Sequence, residues 1–178
     1  MPLHRCLEAI AGRIDRLTKA VGRTVMWCAL AMVVVQVAVV LMRYVLGAGS
    51  IWLSETILYA HATLFMGAAA WTLQQGAHVR VDIFYGDASP RTKAMVDLLG
   101  AVVLLLPFVA VLAAVSLPYV ARSWAIFERS REASGLPFVF MLKTLIPAFA
   151  LLLGLQGIAQ AIRAWLVLSG AAVPADRG

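Results

Sequence analysis

Chemistry in this chain could come from two small sets of residues. The first is the stretch "GAHVRVDIFYG", residues 76–86, where His78, Arg80 and Asp82 alternate with Val79, Val81 and Ile83. A nearby His and Asp could share a metal, but Arg cannot ligate one, and a catalytic zinc takes three protein ligands. The other histidines do not complete a set: His4 is near the amino terminus and His61 lies inside a long apolar segment. No metal site is expected. The alternation instead lets the strip lie along a membrane or protein surface, with Arg80 and Asp82 fixing where the chain leaves the bilayer.

The second set flanks a tight turn, "GAGS" at residues 47–50. Arg43 precedes the turn and Glu55 follows it at nearly equal depth, and Lys143 falls on the same side of the sequence map. A buried carboxylate at Glu55 could couple proton movement to transport. An ion pair that fixes helix packing is the simpler reading, for two reasons. Coupling sites sit near the middle of a membrane rather than at its edge, and a cationic neighbour would hold the carboxylate ionised. An Arg43–Glu55 pair, joined by Lys143, is therefore expected. His61 could be a haem ligand or proton relay. A haem needs two axial ligands, however, and only one histidine is available at that depth, so a packing role is expected and no cofactor.

The elements that carry these residues follow from charge spacing. The chain has 178 residues, 62% hydrophobic and only 13% charged, against roughly 25% charged in soluble domains. Residues 25–42, 56–77, 98–121 and 144–162 contain no Asp, Glu, Lys or Arg. About 20 apolar residues in a helix cross a hydrocarbon layer of about 30 Å. The fold class is thus an all-α membrane protein with four transmembrane helices, over 24–46, 51–73, 95–121 and 138–168. A soluble four-helix protein would need charged outer faces, which these segments lack.

Residues 1–23 form an arm with its own pattern. Leu3, Leu7, Ile10, Ile14, Leu17 and Val21 recur at helical spacing, and Arg5, Arg13, Arg16, Lys19 and Arg23 fill the remainder. That predicts an amphipathic helix lying in the headgroup plane, the alternative being a solvated helix packed on a partner. The apolar stretch after it is too long for a cleaved signal peptide. Nine Lys and Arg lie beside one face of the membrane: five in the arm, then Arg80, Arg91, Lys93 and Arg177. Three, Arg122, Arg129 and Arg131, lie beside the other. The imbalance predicts cytoplasmic termini, a cytoplasmic connector over 74–94, a periplasmic loop over 122–137 and a cytoplasmic tail over 169–178.

The net charge of +6 therefore describes a face toward the bilayer. Nucleic-acid binding is not expected, because no soluble basic module with interleaved aromatics is present. Cys6 and Cys28 imply no disulfide framework. Pro107, Pro118 and Pro147 predict kinks, Gly67, Gly154 and Gly157 allow close helix contact, and Trp52 stands at a span end. No nucleophile–base set, phosphate loop or matching pair of broken helices marks an enzyme or carrier.

Residues 50–100, "SIWLSETILYAHATLFMGAAAWTLQQGAHVRVDIFYGDASPRTKAMVDLLG", resemble the small membrane subunit of tripartite ATP-independent periplasmic (TRAP) transporters. The matching features are Trp52 with Glu55, Gly67 with its alanines, then His78, Val79, Asp82 and Pro90. Residues 118–163 resemble the branch labelled for mannitol or chloroaromatic compounds, and the likeness covers about 24–168. Many members carry two adjacent acids where this chain has Ser54 before Glu55. The resemblance implies a scaffold for a large, sodium-driven carrier subunit, with sodium and solute sites in that subunit. It implies that the first two spans pack on the large subunit. The 122–137 loop would then face a periplasmic solute-binding protein that captures an organic acid. Two rivals remain from the residues alone: a proton-coupled exporter using Glu55, and a membrane anchor for a redox enzyme.

Overall fold

The long helices follow the uncharged apolar runs, and two of the helices start at serine caps. The computed structural model describes residues 2–77 and 88–170. His78, Arg80 and Asp82 fall outside these. Helix α1 spans Pro2–Val25, α2 Trp27–Val45, α3 Ile51–Gln74, α4 Pro90–Leu99, α5 Leu106–Ala125 and α6 Val139–Leu168. Ser50 and Ser89 cap α3 and α4, each hydroxyl accepting a backbone N–H, from Leu53 at 3.3 Å and from Thr92 at 3.2 Å. Between α4 and α5 lies a π-helical stretch, Gly100–Leu105. It ends just before Pro107, whose ring would clash with the carbonyl four residues back, so the wider turn relieves the conflict. Pro118 and Pro147 stand inside α5 and α6.

Four helical runs are long and apolar enough to cross a membrane: His4–Val45, Ile51–Gln74, Pro90–Ala125 and Val139–Leu168. They give the bundle two ends. One holds the 46–50 turn and the loop after α5, called here the loop end; the chain termini mark the other. Helix α3 packs between α2 and α6, α5 lies against α6, and α1 lies in the groove between α3 and α6.

That last contact corrects the expected amphipathic arm. It is no separate helix in the headgroup plane. Only Met26 separates α1 from α2; its N–H bonds Gly22 O at 3.1 Å and its φ/ψ of −58/−26 is helical. The resulting run of 42 residues would be about 63 Å long. The arm docks through a face of small residues, Ala11, Thr18 and Gly22, all buried. Of the apolar stripe expected to face the membrane, Ile10 and Leu17 are 41% and 47% exposed, and Leu7, Ile14 and Val21 are half-buried. Lipid receives apolar side chains as well as protein does, so an apolar stripe does not say which face meets a helix; small residues do. A Cβ on Gly22 would come within 2.5 Å of the Trp71 ring, and one on Gly67 within 2.9 Å of Val25.

A polar clasp completes the docking. Asp15 pairs with Arg163 of α6 and accepts from Gln156 Nε2 at 3.1 Å. The Thr18 hydroxyl lies 3.0 Å from Gln156 Oε1 and 3.5 Å from Gln74 Oε1. Thr18 and Gln156 are both 1% exposed, and these two side chains satisfy each other and their neighbours, as low dielectric demands. Removing Asp15 takes the acceptor from Gln156 Nε2 and the counter-charge from Arg163. Asp15→Ala should therefore destabilise the fold by about 1–3 kcal/mol, whereas Ile10→Ala on the outward face should stay within about 0.5 kcal/mol. Thermal unfolding in detergent reads both, and the reverse order would restore an arm held by its apolar stripe.

Candidate functional site

At the loop end, α3 delivers Glu55 one turn in from its capped start. Both carboxylate oxygens are used by the loop between α5 and α6. Oε1 accepts from the Ser130 hydroxyl, and Oε2 accepts from the Leu136 N–H at 2.5 Å. Within the loop, Ser130 N–H bonds Leu136 O at 3.2 Å, Glu132 N–H bonds Ser130 Oγ at 3.2 Å, and Gly135 N–H bonds Glu132 O at 3.0 Å. Residues 130–136 thus close on themselves over the carboxylate. Gly135 is required there, since a Cβ would come within 2.7 Å of Glu55 Oε1 and closer still to Ser130 Oγ.

A second carboxylate holds the first half of the loop. Glu128 takes the Lys143 ammonium at 2.5 Å and the Ser123 hydroxyl at 2.6 Å on Oε2. The Lys143 hydrogen bond, and after it the Ser123 one, holds the Glu128 carboxyl below its ordinary value of 4.5. Lys143 also lies 4.1 Å from the centroid of the Tyr119 ring.

Helix α5 stops in a Schellman arrangement. Glu128 N–H bonds Ser123 O at 3.0 Å and Phe127 N–H bonds Trp124 O at 3.2 Å. The left-handed position between them is normally glycine, yet here it is Phe127, at φ 45°. Its ring is 64% exposed and meets Phe140 edge-on at 5.7 Å. Trp124 packs on the same ring at 4.6 Å and donates to Thr144 Oγ1 at 2.9 Å. From 127 to 131 the chain alternates: Phe127, Arg129 and Arg131 are exposed, while Glu128 and Ser130 turn inward.

The residues singled out in the sequence are brought together differently from the expectation. Arg43 and Glu55 share an open cleft of about 510 Å³ with Ser54, Leu58 and Glu132, but they do not pair. Lys143 goes to Glu128 instead. The loop supplied competing donors, and a backbone N–H plus a hydroxyl at fixed positions outbid a flexible arginine on an exposed helix end. Trp52 is 50% exposed on the first turn of α3. His61 is exposed and stacks on Phe65, ring centroids 6.4 Å apart. Gly67 receives Val25. Sequence reading missed Ser130, Gly135 and the Leu136 amide, because a backbone donor leaves no trace in residue type. Ser130 and Gly135 bracketing a charged loop were the available signal.

The sign of the Glu128 effect is fixed by its depressed carboxyl. Its contribution is present above the ordinary value of 4.5 and is lost as pH falls through the lower folded value. The stability difference between the unaltered chain and Glu128→Gln should hold from pH 7 to 4.5 and shrink below, as read by thermal unfolding in detergent. Phe127→Gly should raise the melting temperature, relieving about 1 kcal/mol of left-handed strain.

Comparison with known proteins names the setting. No curated protein and no solved structure matches the chain. A family profile does: "Tripartite ATP-independent periplasmic transporters, DctQ component" matches residues 32–167. That span takes in most of α2, all of α3 to α5, the carboxylate-held loop and nearly all of α6. The chain therefore belongs to the DctQ family: it is the small membrane subunit of a TRAP transporter, a multi-pass component of a tripartite complex and not an enzyme.

Proposed function

We propose that this chain is the immobile scaffold of the transporter. It holds the large carrier subunit through α2 and α3 and offers the 122–137 loop to the periplasmic solute-binding protein. The observation that carries this reading is an uncovered membrane surface. None of the 19 residues of α2 is buried. Beside it, α3 presents Leu58, His61 and Phe65 outward at helical spacing, Leu58 at 54% and Phe65 at 68% exposure. A histidine open to hydrocarbon is costly unless a protein partner meets it, so this face fits a helix better than lipid.

The interior favours a scaffold over the rival exporter. Its packed centre is Val109, Ala150 and Leu153, surrounded by leucines, Ala113 and Phe149. The buried polar groups described lie toward the bundle's ends or singly, as Ser116 does. One turn inward from Glu55 the buried Tyr59 hydroxyl has no partner among the described residues, and beyond it the packed centre is apolar. Nine Lys and Arg against three support cytoplasmic termini in an inner membrane, with the loop end periplasmic. The 118–163 run supports the branch labelled for mannitol or chloroaromatic compounds, with sodium-driven uptake of an organic acid by the large subunit.

The loop suits a docking role. Ile126 is 72% and Phe127 64% exposed, beside exposed Arg122, Arg129 and Arg131. The left-handed backbone at exposed Phe127, where glycine is usual, supports a contact role for this residue. A photo-crosslinking residue at Val37 or Phe65 should capture the large subunit, while one at Val111 or Leu151, on exposed faces of α5 and α6, should not. Capture from α5 and α6 alone would overturn the assigned face, and solute movement by the purified chain alone in liposomes would overturn the scaffold.

A further inference from the structure

We infer that Glu55 is a positioning residue for docking: its carboxylate sets the shape of the 130–136 segment and so the surface that meets the binding protein. The inference rests on the docking role proposed for this loop. It assigns to Glu55 work unlike the coupling chemistry that a carboxylate in a transporter first suggests.

Three features converge on it. Both oxygens are occupied by loop donors, the Ser130 hydroxyl and the Leu136 N–H, and charged acceptors make such bonds about twice as strong as neutral ones. Arg43, the cation expected to pair with it, shares the cleft yet leaves the carboxylate to the loop. Finally, the loop is fitted to the carboxylate, because Gly135 has no room for a Cβ between Ser130 and Glu55. A carboxylate that had to gain and lose an ion during transport would not be closed over by backbone in this way.

The placement has a geometric result. Glu55, His61 and Phe65 stand on one helix, α3. The helix that presents its exposed stripe to the carrier therefore also holds the docking loop. Loop and carrier are held at a fixed separation by a single rigid rod.

The test compares Glu55→Gln, Ser130→Ala and Gly135→Ala in the purified complex of the two membrane subunits. Two readouts are taken. Amide hydrogen exchange follows residues 130–136, and proteoliposome uptake is measured while the binding protein is titrated. All three variants should speed exchange at the Leu136 amide by about tenfold or more. All three should also raise the half-saturating binding-protein concentration more than they lower the maximal rate. Ser130→Ala and Gly135→Ala lie outside the helices and alter no charge, so they test the idea even if Glu55→Gln assembles poorly. Unchanged exchange in all three overturns the anchoring. Loss of maximal rate in Glu55→Gln alone, with the loop variants silent, overturns it in favour of a charge-dependent role. Faster exchange with an unmoved titration leaves the anchor standing and removes the docking reading on which the proposal depends.

Discussion

Apolar side chains gain almost nothing by leaving lipid for protein, and that constraint shapes everything in this bundle. Helices in a membrane must be held by close backbone approach and by scarce polar contacts. Both means are visible here. Trp71 fills the gap left by Gly22, Val25 rests on Gly67, Val109 on Gly154 and Leu105 on Gly157. Each glycine removes the side chain that would otherwise keep two helices apart, and dispersion between the surfaces supplies the attraction.

Polar contacts are placed where they can be satisfied, near the two ends. Toward the chain termini, Asp15, Thr18, Gln156 and Arg163 bind α1 to α6. At the loop end, Glu55 and Glu128 bind α3 and α6 to the segment between α5 and α6. Between them the packed core is apolar. The arrangement ties the helices to one another at both ends of the bundle.

Much of this was legible in the sequence, and the rest was not for physical reasons. Uncharged runs of spanning length announce the four crossings, because hydrocarbon tolerates nothing else. The fate of α1 was hidden, since its leucine and isoleucine stripe suits lipid and protein equally. Ala11, Thr18 and Gly22 carried the decisive information, but small residues look neutral on a hydropathy map. The ionisable residues at the loop end were recognised as belonging together, yet their partners were not. Arg43 looked like the obvious match for Glu55 by depth alone. Depth says nothing about a loop 75 residues further along that folds back over the carboxylate.

The alternation along 127–131 separates two kinds of evolutionary freedom. Glu128 and Ser130 are tied to the body of the molecule and can scarcely change without unravelling the segment. Phe127, Arg129 and Arg131 face away, bound by few internal obligations. Exchanges at those outward positions leave the bonds of Glu128 and Ser130 untouched, so the face of this segment is separable from the frame that holds it.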